Sequence, residues 1–231
     1  MPGVSSYESV RSHHTTTHRD WQMKRREGGI KPFDTLDDNH LRLDALEIAG
    51  MVGLDMLINT IINSRGETAG IFAGALEPAY EAAYNEAKQN YAVVNTQDAD
   101  ITVVNNFVKA SEFMVAIAPG VQALRPEGGS IVLISSSPDG QVIHYLYDNF
   151  GKFTFGDAFF GIEIAQHVKN FILYNEFPEA RIPYRFKNPE QVIQTNDWEE
   201  VLSILQKDHG PNSKVSVFPN ADTQYFVSND R

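Results

Sequence analysis

The first half of this chain of 231 residues shows a polar stretch followed by three periodic segments. Residues 1–36 are polar and have no sustained hydrophobic period. Asp37-Asp38-Asn39 is typical of a helix N-cap, and the residues after it predict a short amphipathic helix. The apolar runs LDMLINTIIN and TAGIFAG flank a short turn and predict a β-hairpin. The alanine-rich segment at residues 77–91 predicts a further helix.

Beyond the polar break at residues 95–100, strand and helix patterns alternate. ITVVNN and SIVLISSS are short apolar runs that predict buried strands, and residues 111–124 between them predict a helix. Strand, helix, strand with short connections indicates a parallel α/β sheet. The remaining expectations are a helix over 157–173, a strand near 181–186, a helix near 197–207 and a strand near 214–218.

These patterns predict an α/β protein with two parts. Residues 1–91 are expected to form a partial N-terminal α/β domain with a β-hairpin and a connector helix. Residues 92–231 are expected to form a C-terminal α/β domain with a largely parallel sheet.

Composition narrows the class of protein. Hydrophobic residues make up 42% of the chain, which is enough for a buried core. The absence of cysteine excludes disulfides, thiolate metal ligands and cysteine nucleophiles. No apolar run approaches the roughly 20 residues that span a membrane, and the N-terminal pattern does not predict a secretory signal. We therefore expect a cytoplasmic protein without a membrane partner.

The charge is unevenly distributed. Residues 1–32 contain six Lys or Arg and three acids, which gives a net charge of +3. The rest of the chain must then have a net charge of −14, because the total is −11. An acidic body argues against nucleic acid as a partner, because such binding depends on neutralising phosphates. The basic segment is interpreted either as a solvated, flexible arm or as a segment that attracts an anionic cofactor or a second acidic surface.

Three of the seven histidines, His13, His14 and His18, lie close together near the N-terminus. Neutral imidazole binds zinc, copper, iron and nickel. However, the three threonines at 15–17 disfavour a helix that would align His14 with His18. From these residues alone, a polar histidine-rich arm and a metal site both remain open. Nucleotide-binding glycine motifs, the serine-hydrolase elbow and H-E-x-x-H are absent from the sequence.

Two loops follow the buried strands at the edge where open α/β sheets bind ligands, residues 105–112 and 135–140. Lys109 and Glu112 place charges in the first of these loops, where a polar ligand could meet them. The alternative is an ordinary loop lysine and an acid at a helix N-terminus.

The segment Met1-Pro2-Gly3-Val4-Ser5-Ser6-Tyr7-Glu8-Ser9-Val10, ending in His14, resembles the nickel-dependent lactate racemase family. In that family a Pro-Gly motif follows the lysine that tethers a nickel-pincer nucleotide, and a histidine further along binds the nickel. The resemblance implies that Pro2 and Gly3 contact this cofactor and that His14 is the nickel ligand.

The resemblance continues downstream in the same order and covers at least residues 1–160. Asp38-Asn39-His40 with Arg42 resembles the family's Gly-Asn-Pro-x-x-Asp region, although His40 replaces the proline. INTIINSRGETAGIFAG resembles the family's hairpin, and LRPEGGSIVLIS resembles its Lys-Pro-Gly-Gly strand entry.

The resemblance also implies what this chain lacks. The tethering lysine and both general-base histidines would lie upstream of Met1, so no catalytic residue is expected in the chain and it should be catalytically incomplete alone. The family's substrate-binding Tyr-Gln-x-x-Lys falls at Ser111-Glu112-x-x-Val115, where the residues differ. Lys109 is the candidate for the missing positive charge, so Lys109 and Glu112 are the predicted substrate-binding residues.

Three functional hypotheses follow. The first is a partial chain of a nickel-pincer 2-hydroxy-acid racemase or epimerase, whose partners are a small 2-hydroxy acid and the missing N-terminal part of the same protein. Its reaction would be hydride abstraction and return at the hydroxyl-bearing carbon. The second is a non-catalytic remnant that binds a ligand or a partner. The third is an unrelated zinc protein built on the histidine cluster.

Overall fold

The computed structural model describes residue 8 and residues 40–94, 97–142 and 161–227. The helices of this part are α1 (His40–Met51), α2 (Leu76–Tyr91), α3 (Ile117–Ala123) and α4 (Trp198–Asp208). The strands are β1 (Leu57–Ile62), β2 (Thr68–Gly74), β3 (Ala92–Val94), β4 (Ile101–Asn105), β5 (Gly129–Ser135), β6 (Val168–Asn175), β7 (Val192–Thr195), β8 (Val215–Phe218) and β9 (Tyr225–Val227). Short 3₁₀ helices cover Phe113–Ala116, Ile182–Arg185 and Pro189–Gln191.

The chain divides into two compact units. The described residues of the first unit lie within 40–61 and 70–85. Those of the second unit lie within 62–69, 86–94, 97–142 and 161–227. The predicted domain boundary between residues 91 and 92 stays a prediction.

Strands β1 and β2 form the two-stranded hairpin that the sequence predicts. The turn is closed by Asn63, whose side-chain oxygen accepts hydrogen bonds from the backbone N–H of Arg65 and of Glu67, at 2.9 and 3.0 Å. Gly66 has a φ of 75°, which favours glycine there. The alternation in the sequence and this turn chemistry together explain why the hairpin forms.

Among its described residues, the first unit buries few apolar side chains and exposes several large ones, which together we call its apolar face. Its buried apolar residues are Ile61, Ala79 and Ala83. In the hairpin segment, Leu54, Met56 and Ile58 are 46%, 54% and 58% exposed. The other exposed large hydrophobic residues of this unit are Leu43, Ile48, Met51, Val52 and Ile71.

The second unit is built on a five-stranded sheet with the order β7-β6-β5-β4-β8, in which every neighbouring pair is parallel. The helix α3 packs on one face of this sheet, where the larger cluster includes Val104, Ile131 and Leu133. The helix α4 contributes Val201 and Leu205 to the cluster on the other face. The α/β fold class with a largely parallel sheet is therefore confirmed.

Two predicted elements are wrong. Residues 168–173, expected to be helical, belong to the interior strand β6, whereas 157–160 lie outside the described residues. Phe171, Ile172 and Leu173 are all buried, so this strand has no polar face and its apolar run mimics a helix. The strand expected near 181–186 is instead the 3₁₀ helix Ile182–Arg185, because Pro183 has no N–H for a sheet and suits a first helical turn.

A second, smaller sheet pairs β3 with β9 in parallel. Just before β3, the Tyr91 hydroxyl group accepts a hydrogen bond from the N–H of Ile62 and donates one to its carbonyl oxygen, both at 2.8 Å. The Tyr91 hydroxyl group thereby satisfies both backbone hydrogen-bonding groups of the last residue of β1. Among the described helices, none is long and apolar enough to cross a membrane.

Candidate functional site

The carboxyl ends of the five parallel strands lie at one edge of the sheet, which we call the carboxyl edge. In open α/β sheets this edge binds ligands, because the loops there are free to vary on a rigid support. Its loops follow β4, β5, β6, β7 and β8, and they begin near Asn106, Ser136, Glu176, Asn196 and Pro219.

A buried glutamine ties together the loops that follow β4, β5 and β6. Gln141 donates from its side-chain amide to the carbonyl oxygen of Ala110, at 2.8 Å, and to the Ser135 hydroxyl group, at 3.2 Å. Its side-chain oxygen accepts from the Phe113 N–H at 3.0 Å, and its own N–H donates to the Glu179 carboxylate at 2.9 Å. The side-chain amide, the side-chain oxygen and the backbone N–H of Gln141 all have partners. This residue therefore fixes the relative positions of the three loops.

The structure places Lys109 and Glu112 in one turn at the carboxyl edge. The N–H of Glu112 donates to the carbonyl oxygen of Lys109 at 2.7 Å, which closes the turn. The Lys109 side chain is exposed and the Glu112 side chain is half-buried. Within the described part of the chain, no carboxylate lies within ion-pair distance of the Lys109 ammonium group. The Lys109 ammonium group is therefore available at the edge of the sheet where a ligand is expected.

Two side chains hold the backbone of Lys109 from opposite sides. The amide of Asn106 donates to the Lys109 carbonyl oxygen at 2.7 Å. The Asp222 carboxylate, from the loop after β8, accepts a hydrogen bond of 2.5 Å from the Lys109 N–H. The sequence does not single out either residue, and for Asp222 the reason is that a contact between positions 109 and 222 leaves no local pattern.

A charged cluster follows β6 at the same edge. The Arg181 guanidinium pairs with Glu179 at 2.5 Å. Burial, the largest single influence, raises the pKa of Glu179, but the Gln141 N–H and the guanidinium groups of Arg181 and Arg185 outweigh it and lower the pKa from 4.5. The carboxylate is thus held in its charged form. Sequence reasoning missed this cluster because it assigned a helix to the strand that precedes it.

The predicted cofactor residues Pro2, Gly3 and His14 lie outside the described residues, as do His13 and His18. Among residues 40–94, 97–142 and 161–227, no group of three or more histidine, aspartate or glutamate side chains could hold a metal ion. The nickel assignment therefore remains a prediction from the sequence.

The opposite edge, which we call the amino edge, carries a network of paired polar groups. His209 Nε2 lies 2.8 Å from the Ser130 hydroxyl group, and the Asn170 amide donates to Ser130 at 2.9 Å and to Asp208 at 2.8 Å. Burial is the largest cause that lowers the pKa of His209 from 6.5; Asp100 and Asp208 oppose this shift, and Lys169 and Arg125 reinforce it. Ser130 is fully buried, so this serine–histidine pair cannot reach a substrate and has a structural role.

A cleft of 510 Å³ also lies at the amino edge, beside the first residues of β6 and β7. Shape alone would make it a candidate site. Its lining residues include Glu163, Lys169, Phe171, Asn188 and Glu190. Glu163 is already paired with Lys187 at 2.8 Å. We favour the carboxyl edge because it combines an available cation with fixed loops and the usual ligand position of this sheet type.

Among solved structures, the chain is similar to the lactate racemase apoprotein from Thermoanaerobacterium thermosaccharolyticum, with 16% sequence identity and a TM-score of 0.59. The similarity covers 84% of this chain and 51% of that chain, so this chain spans about half the length of the solved one. At this level of identity the similarity shows the α/β fold. No protein-family model matches the chain. A search of curated proteins also gives no match.

Proposed function

We propose that this chain is part of a nickel-pincer-nucleotide-dependent 2-hydroxy-acid racemase or epimerase of the lactate racemase type. The observation that carries the proposal is the fold shared with the lactate racemase apoprotein over 84% of this chain. The order of the sequence segments that resemble the family supports it independently. A cytoplasmic location belongs to the same proposal.

In this proposal His14 binds the nickel, and Pro2 and Gly3 contact the nucleotide. When bound, the cofactor supplies the hydride transfer at the hydroxyl-bearing carbon. The described residues have a different task, which is to bind and orient the substrate at the carboxyl edge. No general base is assigned to this chain, because the histidines that would act as bases are expected upstream of Met1.

Lys109 is proposed to bind the carboxylate of the 2-hydroxy acid. Its ammonium group is exposed, and the hydrogen bonds from Asn106 and to Asp222 fix the backbone from which it projects. A fixed backbone reduces the entropy that is lost when a ligand is bound. Glu112, in the same turn, is proposed as the second polar contact with the substrate.

The substrate assignment is tested by calorimetric titration of the full chain with lactate. Lys109→Ala should weaken binding about fivefold to tenfold, because one partly solvated ion pair contributes about 1 kcal/mol. Lys109→Arg should retain most of the affinity. The matched control is Lys207→Ala, which removes an exposed lysine from α4. Equal affinities in all four proteins would exclude Lys109 from the site.

The reaction is tested separately, by following the racemisation of several 2-hydroxy acids with the nickel-pincer nucleotide supplied. The chain alone should give no turnover, and a protein extended by the polypeptide encoded immediately upstream should give turnover. Loss of bound nickel in His14→Ala of the extended protein should accompany loss of activity. Turnover by the chain alone would contradict its proposed incompleteness, and unchanged nickel content would exclude His14 as a ligand.

We further propose that another polypeptide covers the apolar face of the first unit. Met51, Val52 and Ile71 are 75%, 75% and 68% exposed, which is unusual for a surface that faces only water. The solved racemase chain has a large part without counterpart in this chain. A polypeptide equivalent to that part, the missing N-terminal part of the same protein, is the proposed partner.

The same apolar face supports the alternative function of a non-catalytic module that binds a partner. The two functions are separated by the DNA upstream of the Met1 codon. An in-frame Gly-Gly-Arg-Lys just before Pro2 would support the racemase, and a stop codon there would support the module. In the extended protein, the binding of an apolar dye to the first unit should fall; unchanged dye binding would contradict the proposed cover.

A further inference from the structure

Three buried acceptor oxygens at the carboxyl edge have no hydrogen-bond donor among the described residues. They are Asn106 Oδ1, Asp222 Oδ1 and Gln224 Oε1, and they belong to the loops that follow β4 and β8. Asn106 is only 1% exposed. Buried polar atoms are normally paired, so three unpaired oxygens in two adjacent loops require an explanation.

The two loops are joined to each other by several hydrogen bonds. The Ala221 N–H donates to the carbonyl oxygen of Asn105 at 3.0 Å. Asn106 and Asp222 both bond the backbone of Lys109, one at its carbonyl oxygen and the other at its N–H. Gln224 lies in the same turn as Asp222, because its N–H donates to the Asn220 carbonyl oxygen at 3.2 Å. The unpaired oxygens therefore belong to two loops that hydrogen bonds hold together.

The chemistry of these atoms favours a positive ligand. The Asn106 amide group must donate its hydrogens to the Lys109 carbonyl, which can only accept, so its oxygen remains an acceptor. The second oxygen of Asp222 belongs to a carboxylate, which would repel an anion. Hard cations take carboxylate and amide oxygens as ligands, at about 2.0–2.6 Å.

We propose that the loops after β4 and β8 together bind a hard, oxygen-preferring cation through Asn106 Oδ1, Asp222 Oδ1 and Gln224 Oε1. The proposed ligands include none of the residues predicted to bind nickel or the nucleotide, and the site goes beyond the proposed racemase function. The exposed Lys109 ammonium group projects from the backbone between the two loops and remains available to an anionic ligand. Binding of the cation would fix the turn that carries Lys109 and Glu112.

Thermal unfolding of the full chain tests this site directly. Magnesium, calcium, potassium and sodium chlorides are each compared with tetramethylammonium chloride at the same ionic strength. At ten times its Kd, the bound cation should raise Tm by about 3–6 °C. The salt that produces the rise identifies the cation. Equal Tm values in all five salts would overturn the proposal.

Two variants and a matched control define the ligands. Asp222→Asn keeps an oxygen for the Lys109 N–H but removes the charge, so the rise in Tm should be lost. Gln224→Glu adds a charge, so the rise should appear at a lower cation concentration. Asp139→Asn removes the same charge from an exposed position in the loop after β5 and should keep the full rise.

The outcomes separate a specific site from general screening. An equal loss in Asp139→Asn and Asp222→Asn would show screening alone and would overturn the site. If Asp222→Asn does not fold, Gln224→Glu carries the test by calorimetric titration with the cation identified above. An unchanged Kd in that variant would overturn the proposal as well.

Discussion

The two edges of the parallel sheet use polar residues in opposite ways. At the amino edge, Ser130, Asn170, Asp208 and His209 bond one another. At the carboxyl edge, Asn106 and Asp222 each leave a buried oxygen without a donor among the described residues, and Lys109 has no ion-pair partner there. Saturated networks stabilise a fold, whereas unsaturated ones are typical of sites that await a ligand. The amino-edge network is therefore consistent with a role in stability, and the unpaired groups at the carboxyl edge are the basis for proposing that this edge binds a ligand.

The largest effect is expected at the amino edge, at Gly129. A Cβ atom at this position would lie 2.1 Å from the Asp100 carbonyl oxygen and 2.8 Å from Leu124. Because the first of these atoms is backbone, the clash cannot be relieved by a side-chain rotation. Gly129→Ala should lower the free energy of unfolding by about 4 kcal/mol or more, measured by urea denaturation.

Gly210→Ala is the matched control for that change. A Cβ atom there would meet no atom within 4 Å. Its free energy of unfolding should stay within about 0.5 kcal/mol of the parent protein. Similar losses in the two alanine variants would refute the close approach at the amino edge.

At the carboxyl edge, the largest loss of stability is expected from Gln141→Ala. The change leaves the buried Phe113 N–H without its acceptor and releases the loops after β4 and β5. We expect a loss of about 2–3 kcal/mol in the free energy of unfolding. Gln166→Ala, at an exposed glutamine, should have little effect. A loss below 0.5 kcal/mol, on the order of a typical surface change, would mean that Gln141 does not hold these loops.

The pH dependence of stability should distinguish the two edges. Because the pKa of His209 is lowered on folding, its contribution to stability is complete above pH 6.5. That contribution is lost as the pH falls through the pKa of the folded state. Because the pKa of Glu179 is also lowered on folding, its contribution to stability is present above pH 4.5 and is lost at lower pH.

Urea unfolding between pH 7.5 and 3.5, in steps of about half a unit, measures both effects. His209→Gln should remove the change that begins below pH 6.5 and leave the acidic change in place. A parent protein whose stability is constant between pH 7 and 5 would contradict the pairing of the half-buried His209 with Ser130.

The smallest effect on stability is expected from Lys109→Ala. The side chain is exposed and has no ion-pair partner among the described residues. The free energy of unfolding should change by less than about 0.5 kcal/mol, even though lactate binding should weaken. A large loss of stability would show that Lys109 supports the fold and would weaken its assignment as a ligand contact.

The sequence predicted the elements whose signals are local. The helix α2 and the strands β4 and β5 appear close to their expected bounds, because alanine content and short apolar runs indicate them directly. The strand β6 was missed because a strand buried on both faces has no alternation. The 3₁₀ helix Ile182–Arg185, which follows β6, was missed because so short a helix leaves little periodic signal in the sequence.

The candidate site was only partly predictable for the same reason. Lys109 and Glu112 were found because they follow a recognisable strand, and strand ends of open sheets carry ligands. Gln141 and Asp222 were missed because their roles depend on contacts across 31 and 113 residues. Asn106 was missed as well, although its contact with Lys109 spans only 3 residues. Whether Pro2, Gly3 and His14 form the cofactor site stays a prediction, since they lie outside the described residues.

The position of β8 has a consequence for the order in which the molecule assembles. This strand pairs with β4, from which it is separated by β5, β6, β7 and α4 along the chain. During synthesis, β4 to β7 can pair before β8 has left the ribosome, and contacts of such long sequence separation form slowly. The Asp222 that bonds the Lys109 backbone arrives later still. The contact that holds the Lys109 backbone can therefore form only after β4 to β7 are available to pair, so this turn reaches its final arrangement late in folding.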